Sequence, residues 1–342
     1  MNDYVALDAV DPAVVEELLQ LAGKLEAVPQ PRALEGKVLG LLFLNPSLRT
    51  LASFQAGMSR LGGSTFVISP GQGTWKLEMR TGVVMDGDAA EHIREAIPVL
   101  SQYVDALGVR VFAEGRDLEE DLSEPFFSTV QELCPVPLVN MESAIDHPCQ
   151  ALADWKTLDD LDVPRAGGKF VLSWANHPRA LPLAVPSAAV RMAAMRGMDV
   201  TVLRPEGFGL PEPILDRARA AAAKSGGSVR ETDNREEALE GAQVLYAKSW
   251  GAPAWYGDAE AEREVRSSLG DWCVGEDWFA PADPSCRFLH CLPVRRNVVV
   301  RDEVLDGPRS AVIRQARNRM WAQMAVLHRM LRGTAPETEG WS

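Results

Sequence analysis

A continuous apolar run, Val38 to Leu44, is the feature that most limits what this chain can fold into. The run reads VLGLLFL and stops at Asn45-Pro46, which predicts a strand buried on both faces of a parallel sheet. From Ser47 to Leu61 apolar residues recur at helical spacing, with Phe54 and Met58 on one side. This order of strand, tight loop and helix is typical of the first unit of an α/β fold.

The same alternation continues along the chain. In the first half we expect strands at Thr65–Ile68, Ala106–Phe112 and Pro137–Asn140, and helices at Glu91–Tyr103, Phe126–Leu133 and Gln150–Leu161. In the second half we expect strands at Lys169–Trp174, Asp199–Leu203, Val244–Ala247, Trp272–Val274 and Phe288–Leu292, and helices at Ser187–Arg196, Ile214–Lys224 and Gln315–Leu331. This order predicts an α/β protein with two doubly wound parallel-sheet domains and linking helices.

The segment Asp162–Gly168 contains proline and glycines and is a candidate boundary, and the helix before it is expected to bridge the domains. A length of 342 residues is consistent with two domains. We expect the first domain over residues 1–149 and the second over 150–314, with the helix at 315–332 packing back on the first. The tail after Gly333 is predicted to be frayed.

Composition argues against several classes of protein. With 35 Lys and Arg against 48 Asp and Glu, the net charge of −13 repels a phosphate backbone, so no nucleic-acid partner is expected. No run of about 18 apolar residues predicts a membrane span, and the N-terminus resembles no targeting segment. The five cysteines form no C-x-x-C pair, which is typical of reduced thiols and predicts a cytoplasmic protein.

Ser47-Leu48-Arg49-Thr50 lies where the first strand passes into its helix, a position that favours a bound anion. Two hydroxyls and a guanidinium there form a set of donors suited to a phosphate. Taken alone, such a tetrapeptide is more often an N-cap serine followed by a solvated arginine. Neither a Walker loop nor a G-x-G-x-x-G segment after a strand is present, which argues against nucleotide hydrolysis and hydride transfer.

Two histidine segments occupy further strand ends. His147-Pro148-Cys149-Gln150 opens a helix, so an imidazole and an amide are available to a polarised carbonyl, although a lone histidine is more often structural. In His290-Cys291-Leu292-Pro293 adjacent strand residues point to opposite faces, which disfavours a Cys/His nucleophile pair and favours backbone carbonyls that line a pocket. No residue spacing indicates a metal site.

Together these segments resemble one family. Phe43–Thr50 (FLNPSLRT), His147–Gln150 (HPCQ) and His290–Pro293 (HCLP), in that order, resemble the aspartate/ornithine carbamoyltransferase superfamily over about Val38 to Arg332. Within it the chain is most similar to the transcarbamylases of N-acylated ornithine, through VMDGD at 84–88, NME at 140–142, YAKSWG at 246–251 and PVRRN at 293–297. The Asp and Ser-Met-Gly arrangement usual in ornithine enzymes is not found.

The resemblance implies a first domain for carbamoyl phosphate and a second for N-acylornithine. It implies that carbamoyl phosphate is bound by Ser47, Leu48, Arg49, Thr50, Arg110, His147, Gln150, Cys291, Leu292, Arg319 and Trp75, the last from a neighbouring subunit. Of these, the expected catalytic residues are Arg49, Arg110, His147, Gln150, Cys291 and Arg319. The acylornithine is expected at Glu142, His177, Lys248, Arg295 and Ala90. The family pattern also implies a homotrimer with shared active sites, and no cofactor or metal.

The implied reaction is attack of the ornithine δ-amine on the carbamoyl carbon, without a covalent enzyme intermediate. Donors aimed at the carbonyl oxygen and phosphate stabilise the developing charge, and alignment of the two substrates supplies much of the rest. The amine must lose a proton, for which the departing phosphate is the expected acceptor. His147 as a general base is the alternative.

Position 90 carries the prediction of the acyl group. Members that act on N-acetylornithine resemble one another in a glutamate two residues before the histidine that follows the Met-Asp-Gly segment, which is His92 here. Succinyl-specific members have proline at that position, whereas this chain has Ala90. A glutamate would repel the second carboxylate of a succinyl group, and alanine removes that repulsion. Residues 140–144 and 174–182 look closer to the succinyl type, and Val299 replaces a lysine of the acetyl type.

We therefore expect carbamoyl transfer to N-succinyl-L-ornithine, giving N-succinyl-L-citrulline and phosphate in arginine biosynthesis. N-acetyl-L-ornithine, free ornithine, or a ligand-binding homologue without catalysis are the alternatives. Leu51 replaces the arginine that commonly follows Ser-x-Arg-Thr in the superfamily, which predicts weaker binding of carbamoyl phosphate.

Overall fold

The computed structural model describes residues 1–332, so the tail predicted to be frayed lies outside the described residues. The chain forms two compact units. Unit 1 comprises Met1–Phe112, Glu124–Ser143 and the chain from Met320 onward, and unit 2 comprises Ala113–Ser123 and Ala144–Arg319. The domain boundary expected at residue 149 stays a prediction.

The first half of the chain alternates helices and strands. In chain order these are α1 Pro12–Ala27, β1 Val38–Phe43, α2 Leu48–Arg60, β2 Ser64–Ile68, β3 Lys76–Glu78, β4 Ala89–His92, α3 Ile93–Ser101, β5 Ala106–Arg110, α4 Leu118–Ser123, α5 Pro125–Leu133 and β6 Leu138–Glu142.

The second half continues the alternation. Its elements are α6 Pro148–Asp160, β7 Lys169–Trp174, α7 Ala184–Met195, β8 Asp199–Leu203, α8 Glu212–Ser225, β9 Ser228–Thr232, α9 Arg235–Leu239, β10 Val244–Lys248, α10 Ala259–Ser267, β11 Arg287–Leu289, α11 Asp302–Leu305 and α12 Val312–Arg332. Helix α12 contributes to both units, since the chain changes unit between Arg319 and Met320.

Four parallel strands form the main sheet of unit 1, in the order β2-β1-β5-β6. Strand β1 is buried along nearly its whole length, which confirms the prediction from the apolar run. Asp105 accepts hydrogen bonds from Lys37 Nζ at 2.8 Å and from Val38 N at 2.9 Å, and so fixes the start of β1. Ile93 and Phe127 belong to the apolar cluster that packs α3 and α5 against this sheet.

Five parallel strands form the sheet of unit 2, in the order β11-β10-β7-β8-β9. The two parallel sheets confirm the predicted α/β fold class. In unit 2 the chain runs outward from β7 to β9 and then returns to place β10 on the other side of β7. In unit 1 it runs from β1 to β2 and returns to place β5 beside β1. Each sheet therefore has a topological switch point, where open α/β sheets bind ligands.

Some predicted elements are wrong or displaced. Trp272–Val274 is not a strand, because Gly270–Trp272 forms a 3₁₀ turn and Val274 makes only an isolated bridge to Val300. Its apolar residues take part in ring packing instead, since the ring centroids of Trp272 and Trp174 lie 5.8 Å apart. The helix expected from Glu91 begins at Ile93, since residues 89–92 form β4.

The sequence analysis missed the 16-residue amphipathic helix α1 and several short or polar elements, namely β3, β4, α4, β9, α9, α10 and α11. Strand β9 lies at the edge of its sheet and reads SVRET, and β3 has only three residues, so neither contains an apolar run. Within residues 1–332 the structure contains no helix long and apolar enough to cross a membrane.

Candidate active site

The N-terminus of α2 forms the anion-binding candidate of unit 1. Ser47 caps the helix, because its Oγ accepts a hydrogen bond from Thr50 N at 3.3 Å and lies 3.0 Å from Thr50 Oγ1. The cap and an anion site are compatible, since both use the first turn of the helix. Leu48 is 79% exposed and Arg49 is partly buried, so Leu48 contributes little to the core.

Arg110 ends β5 beside the loop that enters α2. Leu44 N donates to Arg110 O at 3.0 Å, and Phe112 N donates to Asn45 Oδ1 at 2.7 Å, so the ends of β1 and β5 lie side by side. The predicted phosphate residues Ser47 and Arg110 therefore lie at the switch point of unit 1.

The Arg110 side chain is buried and forms an ion pair with Glu142 at the end of β6. Its guanidinium carbon also lies 4.6 Å from the centroid of the Phe112 ring. The sequence interpretation gave Arg110 to the phosphate and Glu142 to the acylornithine. In the structure these two side chains contact each other, so a phosphate that reaches Arg110 competes with a carboxylate.

Trp75 and Ala90 belong to one small surface segment. Trp75 precedes β3, Ala90 lies in β4, and β3 pairs with β4. Trp75 is 59% exposed, and its indole Nε1 donates to Glu91 Oε2 at 2.7 Å. The sequence interpretation placed Trp75 and Ala90 at different substrates, and the structure places one just before β3 and the other in β4, the strand that pairs with β3.

His147, Gln150 and Arg319 lie in unit 2 and are buried. His147 is the N-cap residue of α6, and Gln150 lies in the first turn of that helix. Arg319 Nη2 on α12 lies 3.5 Å from His147 Nε2. Because a guanidinium only donates, this contact requires His147 Nε2 to act as the acceptor.

A buried hydrogen-bond network connects Gln150 to the end of β11. Gln150 Nε2 donates to Asp154 Oδ1 at 2.7 Å, Gln315 Nε2 donates to the same oxygen at 2.8 Å, and Gln315 Oε1 accepts from His290 N at 3.0 Å. Burial raises the pKa of Asp154 to about 7, although Gln315, Gln150 and Arg319 favour its ionised form. The sequence interpretation missed Asp154 and Gln315.

The predicted carbonyl-lined segment follows β11. Leu292 N donates to His290 Nδ1 at 2.9 Å, so the His290 ring is occupied with the backbone of its own turn. Leu292 has a φ of 57°, and the Leu292–Pro293 peptide bond is cis. Cys291, which lies between His290 and Leu292 in the sequence, is buried.

Three of the residues predicted for the acylornithine lie at the switch point of unit 2. His177 follows β7, Lys248 ends β10, and Arg295 Nε donates to His177 Nε2 at 3.1 Å. Burial lowers the pKa of His177, and the cations Lys248, Arg295 and Arg266 lower it further. A neutral histidine among cations suits a ligand that carries carboxylates.

Arg266, which the sequence interpretation missed, supports this site through hydrogen bonds to the segments that carry His177 and Lys248. Its buried guanidinium is paired with Glu262, donates to Ser249 Oγ and Trp250 O at 2.9 Å each, and lies 3.4 Å from His177 O. One side chain therefore fixes both the loop after β7 and the loop after β10. Only the helical spacing of Glu262 and Arg266 hinted at this pair in the sequence.

No cluster of three or more His, Cys, Asp or Glu side chains in residues 1–332 has the geometry to hold a metal ion. The described arrangement is instead rich in cationic and amide donors at two switch points. Such a set is chemically suited to anionic groups and to negative charge on carbonyl and phosphate oxygens.

Two family models match the chain. The carbamoyl-P binding domain of aspartate/ornithine carbamoyltransferase matches residues 2–160, and the Asp/Orn binding domain of the same family matches residues 184–330.

Curated relatives include enzymes for two different acyl groups. An N-acetylornithine carbamoyltransferase of Xanthomonas campestris pv. campestris is 40% identical over 306 residues, which cover 89% of this chain and 90% of the relative. An N-succinylornithine carbamoyltransferase of Bacteroides thetaiotaomicron is 37% identical over 297 residues, which cover 87% of this chain and 88% of the relative.

Solved structures have the same fold. Acetylornithine transcarbamylase complexed with acetylcitrulline superposes with a TM-score of 0.93 at 37% identity, covering 96% of this chain and 99% of that one. An alanine-for-glutamate mutant of N-acetyl-L-ornithine transcarbamylase, complexed with carbamyl phosphate and N-succinyl-L-norvaline, has a TM-score of 0.93 at 38% identity, covering 96% of this chain and 100% of that one.

Proposed function

The chain is a carbamoyltransferase that belongs to the aspartate/ornithine carbamoyltransferase family, and we propose that it carbamoylates N-succinyl-L-ornithine. The products are N-succinyl-L-citrulline and phosphate. The observation that carries the proposal is that the two switch points bear complementary sets of side chains. Unit 1 has a helix N-terminus beside Arg110, suited to a phosphate, and unit 2 has His177, Lys248 and Arg295, suited to carboxylates.

In the proposed reaction the first turn of α2, with Ser47, Arg49 and Thr50, holds the phosphate of carbamoyl phosphate together with Arg110. His147, Gln150 and Arg319 bind the carbamoyl end, and the carbonyls of Cys291 and Leu292 line the same subsite. The hydrogen-bond donors among these groups stabilise the negative charge that forms on the carbonyl oxygen and on the phosphate.

The bond changes are those of an acyl substitution. The δ-amine lone pair forms a new C–N bond to the carbamoyl carbon, and the bond from that carbon to the phosphate oxygen breaks. The amine loses one proton, and the departing phosphate takes it. His147 as a general base remains the alternative, and its signature is a pH–rate limb that His147→Gln removes.

Two features of the acceptor site favour the succinyl group. Lys248 and Arg295 supply more than one cation, whereas an N-acetylornithine has a single carboxylate. By the resemblance described above, Ala90 stands where the acetyl-type members have a glutamate. A solved N-acetyl-L-ornithine transcarbamylase in which one glutamate was changed to alanine was crystallised with N-succinyl-L-norvaline. We infer that removing this carboxylate makes room for the succinyl carboxylate.

N-acetyl-L-ornithine is the second candidate acceptor. It is favoured by the relative from Xanthomonas campestris, which is 40% identical, against 37% for the succinylornithine enzyme from Bacteroides thetaiotaomicron. Parallel assays with carbamoyl phosphate and succinylornithine, acetylornithine or ornithine distinguish the candidates. Turnover of succinylornithine is expected, preference for another acceptor would contradict the proposed acyl group, and no turnover of any would favour a non-catalytic binding protein.

We also propose a homotrimer in which each active site receives the surface segment of residues 75–90 from a neighbouring subunit. Because Trp75 directly precedes β3 and Ala90 lies in β4, which pairs with β3, a segment that reaches a neighbour supplies both. Mixing two inactive variants, Trp75→Ala and Arg49→Ala, tests this directly. Shared sites predict that mixed oligomers regain activity, and sites confined to one subunit predict that they do not. Arginine biosynthesis in the cytoplasm is part of the same proposal.

A further inference from the structure

The orientation of the Gln150 amide is fixed by one neighbour. Asp154 lies one helical turn after Gln150 on α6, both side chains are 1% exposed, and Gln150 Nε2 donates to Asp154 Oδ1 at 2.7 Å. Since the amide nitrogen is the donor in this bond, the amide oxygen must face away from Asp154. Gln150 Oε1 is buried and has no hydrogen-bond partner among the described residues. A buried amide oxygen of this kind calls for an N–H donor.

Asp154 is itself held in place from a second helix. Gln315 on α12 donates to the same oxygen, Oδ1, at 2.8 Å, while its own Oε1 accepts from His290 N at 3.0 Å. Two amides and one carboxyl group therefore form a connected chain between Gln150 and the segment that follows β11. This chain leaves the Gln150 side chain one orientation that satisfies its nitrogen.

We propose that Asp154 is a positioning residue, which turns the Gln150 amide so that Oε1 accepts a hydrogen bond from the NH₂ group of carbamoyl phosphate. The inference rests on the proposed function and deepens it, because it assigns a source of selectivity for the carbamoyl group. Acetyl phosphate has a methyl group in place of the NH₂ and is otherwise of the same shape. The Gln150 contact therefore distinguishes the two compounds, and Asp154 makes that contact possible.

The test compares Asp154→Ala, Asp154→Asn, Gln150→Ala and the double variant Asp154→Ala/Gln150→Ala. Two quantities are measured in each: kcat/KM for carbamoyl phosphate at saturating succinylornithine, and the inhibition constant of acetyl phosphate. Loss of a buried hydrogen-bond partner predicts that Asp154→Ala lowers kcat/KM by about 10- to 100-fold. The inhibition constant of acetyl phosphate is expected to change by less than about 2-fold, because its methyl group never used the Gln150 oxygen.

Two further results are expected if Asp154 acts through Gln150. Asp154→Asn keeps an oxygen that accepts from both amides, so it should retain most of the wild-type kcat/KM. In the Gln150→Ala background, Asp154→Ala should lower kcat/KM for carbamoyl phosphate little further, because the amide that Asp154 positions is already absent.

A matched control is present on the same two helices. Asn318 Nδ2 donates to Thr157 Oγ1 at 2.9 Å and joins α12 to α6 one turn further along, without contacting Gln150. Thr157→Val removes that bond and should lower thermal stability. It should not change kcat/KM for carbamoyl phosphate relative to the inhibition constant of acetyl phosphate.

The inference is overturned if Asp154→Ala weakens both phosphate compounds equally, or if the single effects multiply in the double variant. Either result would give Asp154 a purely structural role. A wild-type chain that carbamoylates no ornithine derivative would instead contradict the proposed function on which the inference rests, so the two failures are distinguishable.

Discussion

Asp154→Asn should make the stability of this protein less dependent on pH, and in a definite direction. The carboxyl group ionises near 3.8 in the unfolded chain, whereas burial raises its pKa to about 7 in the folded protein. Between pH 5 and pH 7 the folded state therefore binds a proton that the unfolded state has lost. Unfolding releases that proton, so the wild type loses stability as the pH rises through this window.

The magnitude follows from the size of the window. Full protonation of the folded carboxyl group would cost the wild type about 1.4 kcal/mol per pH unit, but the group is half ionised at pH 7, so the loss between pH 5 and pH 7 is about 2 kcal/mol relative to a variant without the ionisable group. At about 2.1 cal/mol/K per residue, the unfolding entropy of a chain of 342 residues is about 0.7 kcal/mol/K. The melting temperature of Asp154→Asn minus that of the wild type should therefore rise by about 3 °C between pH 5 and pH 7.

Thermal melts followed by tryptophan fluorescence at half-unit pH steps measure this difference. Every other titrating group is common to both proteins, so only Asp154 contributes to the slope. Thr157→Val serves as the control, because it alters the contact between the same helices without removing a titratable group. The difference in melting temperature between Thr157→Val and the wild type should not change with pH. A flat difference for Asp154→Asn as well would refute the reasoning, since it would mean that Asp154 is ionised in the folded protein throughout.

Three other substitutions test separate parts of the site. Ala90→Glu should lower kcat/KM for succinylornithine by about 10-fold or more through charge repulsion, while Ala90→Gln, of equal size, should not; equal effects in a substrate assay would exclude electrostatics. Arg266→Lys cannot keep the forked contacts to Ser249 and Glu262, so steady-state kinetics should show a higher KM for the acceptor with the KM for carbamoyl phosphate unchanged. Glu142→Gln removes the carboxylate that competes for Arg110, so inorganic phosphate should inhibit about 10-fold more tightly, and unchanged inhibition would show that phosphate does not reach Arg110.

The sequence predicts the fold well where one physical signal dominates. Strand β1 is buried on both faces and contains only apolar residues and a glycine, so its sequence leaves little choice. Strand β9 lies at a sheet edge and reads SVRET, and its pairing with β8 depends on a neighbour that no local pattern reveals. Trp272 misled the prediction because an aromatic residue that packs against Trp174 resembles one that lies in a strand.

The candidate site divides in a similar way. Ser47 and His147 are predictable because each follows a strand that the pattern identifies, and ligands bind at such ends, whereas Lys248 was assigned only through the family resemblance. Asp154 has a local signal, since it lies four residues after Gln150 on one helix face. Gln315 has none, because its contact with Asp154 spans 161 residues and depends on how two helices pack.

The most direct test of the central claim is a competition for one pool of carbamoyl phosphate. Purified protein receives N-succinyl-L-ornithine, N-acetyl-L-ornithine and ornithine at equal concentrations, and the initial rates of the three ureido products are measured by mass spectrometry. The ratio of these rates equals the ratio of kcat/KM values. The account predicts that N-succinyl-L-citrulline forms fastest, and faster formation of N-acetyl-L-citrulline or citrulline would contradict it.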